Sequence, residues 1–279
     1  MPSEMTLPGT RVLDVRPRAG GEPYRIFLAV PEGSAPAGGF PVVYMLDANA
    51  GFATLVETLR RGIVRPAATG IVPAVLVGIG YPIEGLYERA RRTFDYSPGP
   101  SAEATGRPDE PATGGRDRLL AFVTNDLGPM IEGMAPVDTT RRTLIGHSLA
   151  GYFALDVLAH DRAAFRSYVA VSPSIWWNEP RLRAGLSGLR PVAARLAVFV
   201  GQWEQELAPW QQGRPDSAEL AARRSRRGMV DRARSFVEKA AEVLGPASET
   251  CFHVLPEEDH ASVLPAAMGR ALRFALRPR

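Results

Sequence analysis

Lysine and cysteine are almost missing from this chain of 279 residues: Lys239 is the only lysine and Cys251 the only cysteine. A single cysteine excludes an intrachain disulfide and a cysteine-cluster metal site. The positive charge is therefore nearly all arginine, and the formal net charge of +3 is only mildly basic. Arginine without lysine reads as a compositional habit, not as a nucleic-acid footprint. No run approaches the roughly 20 apolar residues of a membrane span. Met1 to Thr6 has neither a basic start nor an apolar stretch, so no secretory signal and a cytoplasmic location are expected. A phosphate loop, a His-x-x-x-His zinc pair and a dinucleotide fingerprint are all missing, and no metal ion or cofactor is expected. Nor does any internal repeat or Pro/Gly linker divide the chain. With 45% hydrophobic and 23% charged residues it is long enough to bury a large core, and one α/β domain is expected.

What is present alternates. Arg11 to Arg16 and Tyr24 to Val30 read as antiparallel strands around an Ala19-Gly20-Gly21 turn. Apolar runs at Phe40–Asp47, Ala74–Gly80, Thr143–Ile145, Ser167–Val171, Leu196–Val200 and Thr250–Val254 read as buried strands. Between and after them, helical patterns cover about Gly51–Ile63, Arg116–Met134, Leu149–Leu158, Ser217–Leu244 and Ala261–Leu276. Met229, Val230, Ala233, Phe236, Val237, Ala240 and Leu244 form one stripe of the fourth of these, expected as a single long helix. Helices alternating with apolar strands predict a mainly parallel sheet covered on both faces. Ser97 to Gly115, dense in Pro, Gly, Ala and Ser, predicts a mobile loop or lid.

The chemistry concentrates at Gly146-His147-Ser148-Leu149-Ala150-Gly151. A strand that turns sharply into a helix there would hold the Ser148 hydroxyl out at the C-terminal edge of the sheet, as in the G-x-S-x-G nucleophile elbow. Strand and helix nearly collide at such a turn, so Gly146 and Ala150 must be small. A serine hydroxyl needs a base, and the base needs a third group to orient it. Of the four histidines, His147 adjoins the serine and is expected to point elsewhere. His160 lies a helix length away and His253 lies inside the last strand, which leaves His260, just after that strand, as the base. The acid is sought after the strand ending at Val200, where Glu204 is chosen and Glu206 is its rival. Two main-chain N–H groups must hold the oxyanion, one from Leu149 and one from the loop after Asp47, at Asn49.

Five segments together resemble a known family. They are Tyr44-Met45-Leu46-Asp47-Ala48-Asn49, Val77-Gly78-Ile79-Gly80-Tyr81-Pro82, the elbow, Ser172-Pro173-Ser174-Ile175-Trp176-Trp177, and Asp259-His260-Ala261-Ser262-Val263-Leu264-Pro265. In this order they resemble the putative-esterase branch of the α/β-hydrolases, nearest to the ferric enterobactin and salmochelin esterases. Arg92-Thr93-Phe94-Asp95-Tyr96-Ser97-Pro98 is similar to an Arg-x-x-Asp-Tyr-Thr-Pro stretch of that subgroup. The resemblance implies an α/β-hydrolase fold and a serine esterase that opens ester or lactone bonds of a catecholate siderophore. It maps the nucleophile to Ser148, the base to His260 and an oxyanion donor to Asn49. Ala150 and Ala48 stand where the family usually has glycine, and some members work with a Ser–His pair alone. The alternatives are a general or feruloyl-type carboxylesterase, and a non-catalytic binding protein on the same fold.

An anionic iron complex suits arginine, so Arg91 and Arg92 are weighed as substrate contacts, against salt bridges with Glu88 or Asp95. Trp176 and Trp177 are weighed as an aromatic pocket. Arg223, Arg224, Arg226 and Arg227 are expected to be a solvated helix face, with Arg227 spaced to pair with Asp231. The expected partner is a small-molecule ester, and the expected state a monomer or weak dimer.

Overall fold

The computed structural model describes residues 6–188 and 193–277. Residues 1–5, most of the segment behind the expected absence of a secretory signal, lie outside the described residues. One eight-stranded sheet runs through the described residues, built from β1 (Thr10–Val15), β2 (Tyr24–Ala29), β3 (Phe40–Leu46), β4 (Val75–Gly80), β5 (Val137–His147), β6 (Ser167–Val171), β7 (Arg195–Gly201) and β8 (Glu249–Leu255). Their order is β1-β2-β4-β3-β5-β6-β7-β8. The β1–β2 and β2–β4 pairs are antiparallel and all others parallel, so the antiparallel start and parallel centre stand as expected.

The helices are α1 (Ala48–Gly62), α2 (Pro66–Thr69), α3 (Arg89–Tyr96), α4 (Arg116–Ala121), α5 (Gly128–Met134), α6 (Leu149–His160), α7 (Glu179–Ser187), α8 (Ser217–Arg227), α9 (Met229–Leu244) and α10 (Val263–Leu276). None is long and apolar enough to cross a membrane. Every residue of β3, β4, β6 and β7 is buried, as strands covered on both faces must be. Successive side chains alternate between two cores. Tyr44, Leu144, Tyr168 and Val198 pack with α6 and α9, whereas Met45, Ile145, Val169 and Ala197 pack with α1 and α10. Within the fully buried part of α6, the charge of Asp156 is met by the guanidinium groups of Arg116 at 2.6 Å and Arg181 at 2.7 Å.

The register positions the site. His147 pairs with Val171, Val171 with Phe199, and Phe199 with His253. Strands β5 to β8 therefore end within about two residues of one level. Ser148, Ser172, Glu204 and the loop to His260 emerge at one sheet edge.

Two expectations need correction. The long helix over Ser217–Leu244 is two helices, because Gly228 takes a left-handed conformation (φ 48°, ψ 47°) and its N–H closes on the Arg224 carbonyl. Only α9 has a stripe to bury, and α8 buries no residue, so the arginine half is free to turn away from the sheet. The Arg116–Met134 helix is continuous, but Phe122–Leu127 is a π-helical segment between α4 and α5. Residues 97–115 have no helix or strand. They are tied down by main-chain bonds from Gly114 to Ser97 and from Ala102 to Trp177.

Candidate active site

Ser148 sits between β5 and α6 at φ 59° and ψ −119°, a conformation costly for any residue with a Cβ and kept only where its surroundings dictate it. The crowding is measurable: a Cβ on Gly146 would lie 2.1 Å from the Ala150 carbonyl oxygen, so only glycine fits there. Ala150, in contrast, is accommodated with its methyl fully buried. Ala48, the other alanine in a family glycine position, faces Gly78, where a Cβ would come within 2.6 Å of its methyl. The glycine on β4 makes the room.

Three sequence-predicted side chains meet at this edge. His260 Nε2 is 2.9 Å from Ser148 Oγ, and His260 Nδ1 is 2.7 Å from Glu204 Oε2. Glu204 is 2% exposed, whereas Glu206 is exposed. The second oxygen of Glu204 accepts from the Gly201 N–H at 2.6 Å and from the Ser172 hydroxyl. A buried carboxylate with these donors is fixed in position, with both oxygens hydrogen-bonded. With Glu204 accepting at Nδ1, the ring carries its proton there and presents a lone pair at Nε2 to Ser148. His160 and His253 stay away from this cluster, His160 at the end of α6 and His253 stacked on Phe199 within β8.

His147 does more than point elsewhere. Its Nε2–H donates to the His260 carbonyl at 3.0 Å, and the two rings lie 4.9 Å apart. Burial, and then the neighbouring His260, pushes the His147 ring down to about 3, so it is a neutral donor that holds the His260 loop. Sequence reasoning also passed over Ser172 and Ser174. Ser172 adopts a left-handed φ of 46° at the end of β6, which aims its hydroxyl at Glu204. Ser174 Oγ lies 3.4 Å from Ser148 Oγ. The available signal was the Ser172-Pro173-Ser174 run after a strand at the same edge.

Leu149 and Asn49 lie in the first turns of α6 and α1, where N–H groups have no intrahelical acceptor. The Asn49 side chain pins its turn to β4, accepting from Tyr81 N at 2.9 Å and donating to Tyr81 O at 3.0 Å. Arg92 is engaged elsewhere than expected. Its guanidinium grips Asp47, at 2.8 Å from Nη2 to Oδ2 and 3.1 Å from Nε to Oδ1, while Tyr96 donates to the same carboxylate at 3.0 Å. It thereby locks the end of β3 beside Asn49. Arg91 bonds the Glu22 and Pro23 carbonyls and lies 3.8 Å from Asp95.

A cavity of about 200 Å³ opens over the cluster, lined among others by Ser148, His260, Trp176, Arg223, Arg224 and Arg227. The α8 arginines are thus not simply a solvated face. Arg227 does not pair with Asp231, because the turn at Gly228 breaks the helical spacing; it pairs with Glu103 at 2.6 Å and lies 3.8 Å over the Trp176 ring. Of the two tryptophans, only Trp176 lines this cavity. Trp177 packs against the core and donates to the Gly99 carbonyl at 3.0 Å.

The chain has relatives among known proteins. It is 36% identical to the ferri-bacillibactin esterase BesA of Bacillus subtilis over 98% of this chain and 91% of the relative. It is 33% identical to a siderophore enterobactin esterase of Emericella nidulans, over 90% of this chain and 89% of that one. The crystal structure of the BES protein from Bacillus cereus superposes with a TM-score of 0.82 at 31% identity, covering 99% of this chain and 97% of that chain. The expected α/β-hydrolase fold is the fold these neighbours share. Residues 18–237 match the family described as Putative esterase, and with most of its length inside that match the chain belongs to this family.

Proposed function

We propose that the protein is a serine esterase that opens ester or lactone bonds of a catecholate siderophore, using Ser148, His260 and Glu204. The observation behind the proposal is the unbroken run of short contacts from the Ser148 hydroxyl through His260 to a buried carboxylate, at an elbow only Gly146 permits. His260 Nε2 takes the Ser148 proton as Oγ attacks the ester carbonyl, and Glu204 stabilises the imidazolium that forms. The oxyanion accepts hydrogen bonds from the N–H groups of Leu149 and Asn49. The imidazolium then protonates the leaving alkoxide, which leaves an acyl group on Ser148. Water deprotonated by His260 attacks the acyl carbon and releases the acid and free Ser148.

Two points support the siderophore as substrate. Relatives over nearly the whole chain are named ferri-bacillibactin and enterobactin esterases. The cavity also presents three arginines, while its carboxylate, Glu204, is already engaged by His260, which suits an anionic ferric tris-catecholate. The reading keeps the cytoplasmic location and monomer or weak dimer expected from the sequence. Its test is the ratio of kcat/KM for an iron-loaded tris-catecholate trilactone to that for p-nitrophenyl butyrate and for a feruloyl ester. The expected result favours the trilactone by roughly a thousandfold or more, beyond the range a hydrophobic pocket alone supplies. A preference for the feruloyl or p-nitrophenyl ester would replace the siderophore with a general carboxylic ester.

Arg92→Ala bears on the same reading. Because Arg92 holds a buried Asp47, its loss should cost about 3–5 kcal/mol in denaturant unfolding. It should reduce kcat/KM alike for neutral and anionic esters, since the loop carrying Asn49 loosens for both. A rise in KM confined to the anionic ester would instead make Arg92 a substrate contact.

A further inference from the structure

Helix α8 stands over the catalytic cluster with Arg223, Arg224 and Arg227 on the cavity wall, and one of them is already holding a carboxylate. Arg227 meets Glu103 through two nitrogens, Nη2 at 2.6 Å and Nε at 3.1 Å, in the bidentate arrangement a guanidinium uses for any planar oxyanion. A face of the Arg227 guanidinium lies on the Trp176 ring at 3.8 Å, which fixes its plane. Arg223, on the same cavity wall, has no hydrogen bond or ion pair among the described residues. Glu103 comes from the irregular loop 97–115, and neighbouring bonds hold that loop down: Ala102 N–H to the Trp177 carbonyl at 2.8 Å, and Trp177 Nε1–H to the Gly99 carbonyl at 3.0 Å. Beyond these bonds, the Glu103 side chain reaches the rim of the cavity through one ion pair between half-exposed side chains. The cavity, of about 200 Å³, opens to solvent.

We propose that Arg227, with Arg223 beside it and Trp176 beneath it, is an anion-recognition subsite of the active site, and that Glu103 is its internal stand-in ligand. An anionic group of the substrate displaces the Glu103 carboxylate from Arg227, and the stretch of loop around Glu103 loosens from the rim as the substrate enters. The subsite rests on the esterase reading given above for its place in a reaction, but its anion chemistry is separable from turnover. The hydrogen bond to Arg227, with Arg226 and Arg223 nearby, also holds the Glu103 carboxyl below the usual range, so it is a full anion at neutral pH and competes as one. An exposed pair of this kind is weak enough to exchange.

The test uses two ligands: the iron-loaded tris-catecholate trilactone as substrate, and the ferric complex of a tris-catecholamide without ester bonds as an unhydrolysable trianion. The second is read as a Ki against p-nitrophenyl butyrate hydrolysis. Glu103→Gln should lower this Ki about two- to fivefold, the weight of an exposed ion pair, and leave KM for the neutral ester within about twofold. Arg227→Gln should raise the Ki about tenfold or more. Adding Glu103→Gln to Arg227→Gln should then change nothing further, because the carboxylate has lost the group it competes for. Hydrogen exchange at residues 101–106 should quicken in Glu103→Gln and in wild type bearing the trianion. An unchanged Ki in both single variants, or a Glu103→Gln effect that persists without Arg227, would overturn the subsite. If the trilactone is not cleaved but the Ki pattern holds, the siderophore reading fails and the subsite stands. Cleavage of the trilactone with a flat Ki pattern has the opposite meaning.

Discussion

Ser148→Ala is expected to lose on the order of 10⁵–10⁶ in kcat on every ester, the scale seen when the nucleophile of such a unit is removed. The substitution deletes one small hydroxyl whose hydrogen bonds run to His260 and Ser174, so the fold has little reason to respond. The strained backbone at residue 148 is imposed by β5 and α6 and is open to alanine as it is to serine. Unfolding midpoints should therefore match wild type while progress curves fall to the background left by the oxyanion donors. Ser174 stands 3.4 Å away, but among the described residues its hydroxyl has no hydrogen bond to a histidine or carboxylate. Residual activity above about a hundredth of wild type would mean Ser174 or water can act in its place, and the assignment of Ser148 would fall.

Glu204→Gln should be the second most damaging change, on the order of 10⁴ in kcat. Its magnitude follows from where the two oxygens point. One accepts from Gly201 N–H and Ser172 O–H, so a glutamine would turn its carbonyl oxygen to these two donors. Its NH₂ would then face His260 Nδ1 and act as donor there. The imidazole would be forced to carry its proton on Nε2, the nitrogen that must receive the Ser148 proton. Glu206→Gln makes the same change of charge two residues away in the same loop, on an exposed side chain, and should stay within about twofold of wild type. Parallel kcat measurements on the two folded variants separate the possibilities. A crippled Glu206 variant would move the acid to that residue, and two active variants would leave a Ser148–His260 dyad.

Why the sequence chose between some residues and not others follows from the distances over which each is determined. The elbow is local: Gly146, Ser148 and the apolar runs on both sides require each other within a dozen residues. His260 followed by elimination, since His160 and His253 sit on regular elements whose position in the sheet was readable. Glu204 and Glu206 look alike in sequence because what distinguishes them comes from other strands, namely the Ser172 hydroxyl after β6 and the His260 ring after β8. His147 was dismissed on direction alone, although its hydrogen bond lands 113 residues later on the His260 carbonyl. The α8 arginines were misread for a related reason. Arg227 and Asp231 have the spacing of a helical ion pair, but Gly228 leaves the helix between them, and the carboxylate that Arg227 takes is Glu103, 124 residues away. The signs in the sequence that the helix divides there are Gly228 itself and a stripe that starts only at Met229. Arg92 likewise had acidic neighbours in sequence and bonded to Asp47, brought close by the parallel pairing of β3 and β4.

The central claim is that Ser148, activated by His260, is the nucleophile. It is tested most directly by treating the protein with a fluorophosphonate and locating the adduct by peptide mass spectrometry. The expected result is one phosphonyl group per chain, with fluoride released, on Ser148 alone, and labelling slowed by orders of magnitude in His260→Ala. A chain that takes up no label, or that carries it on Ser174, would contradict the assignment.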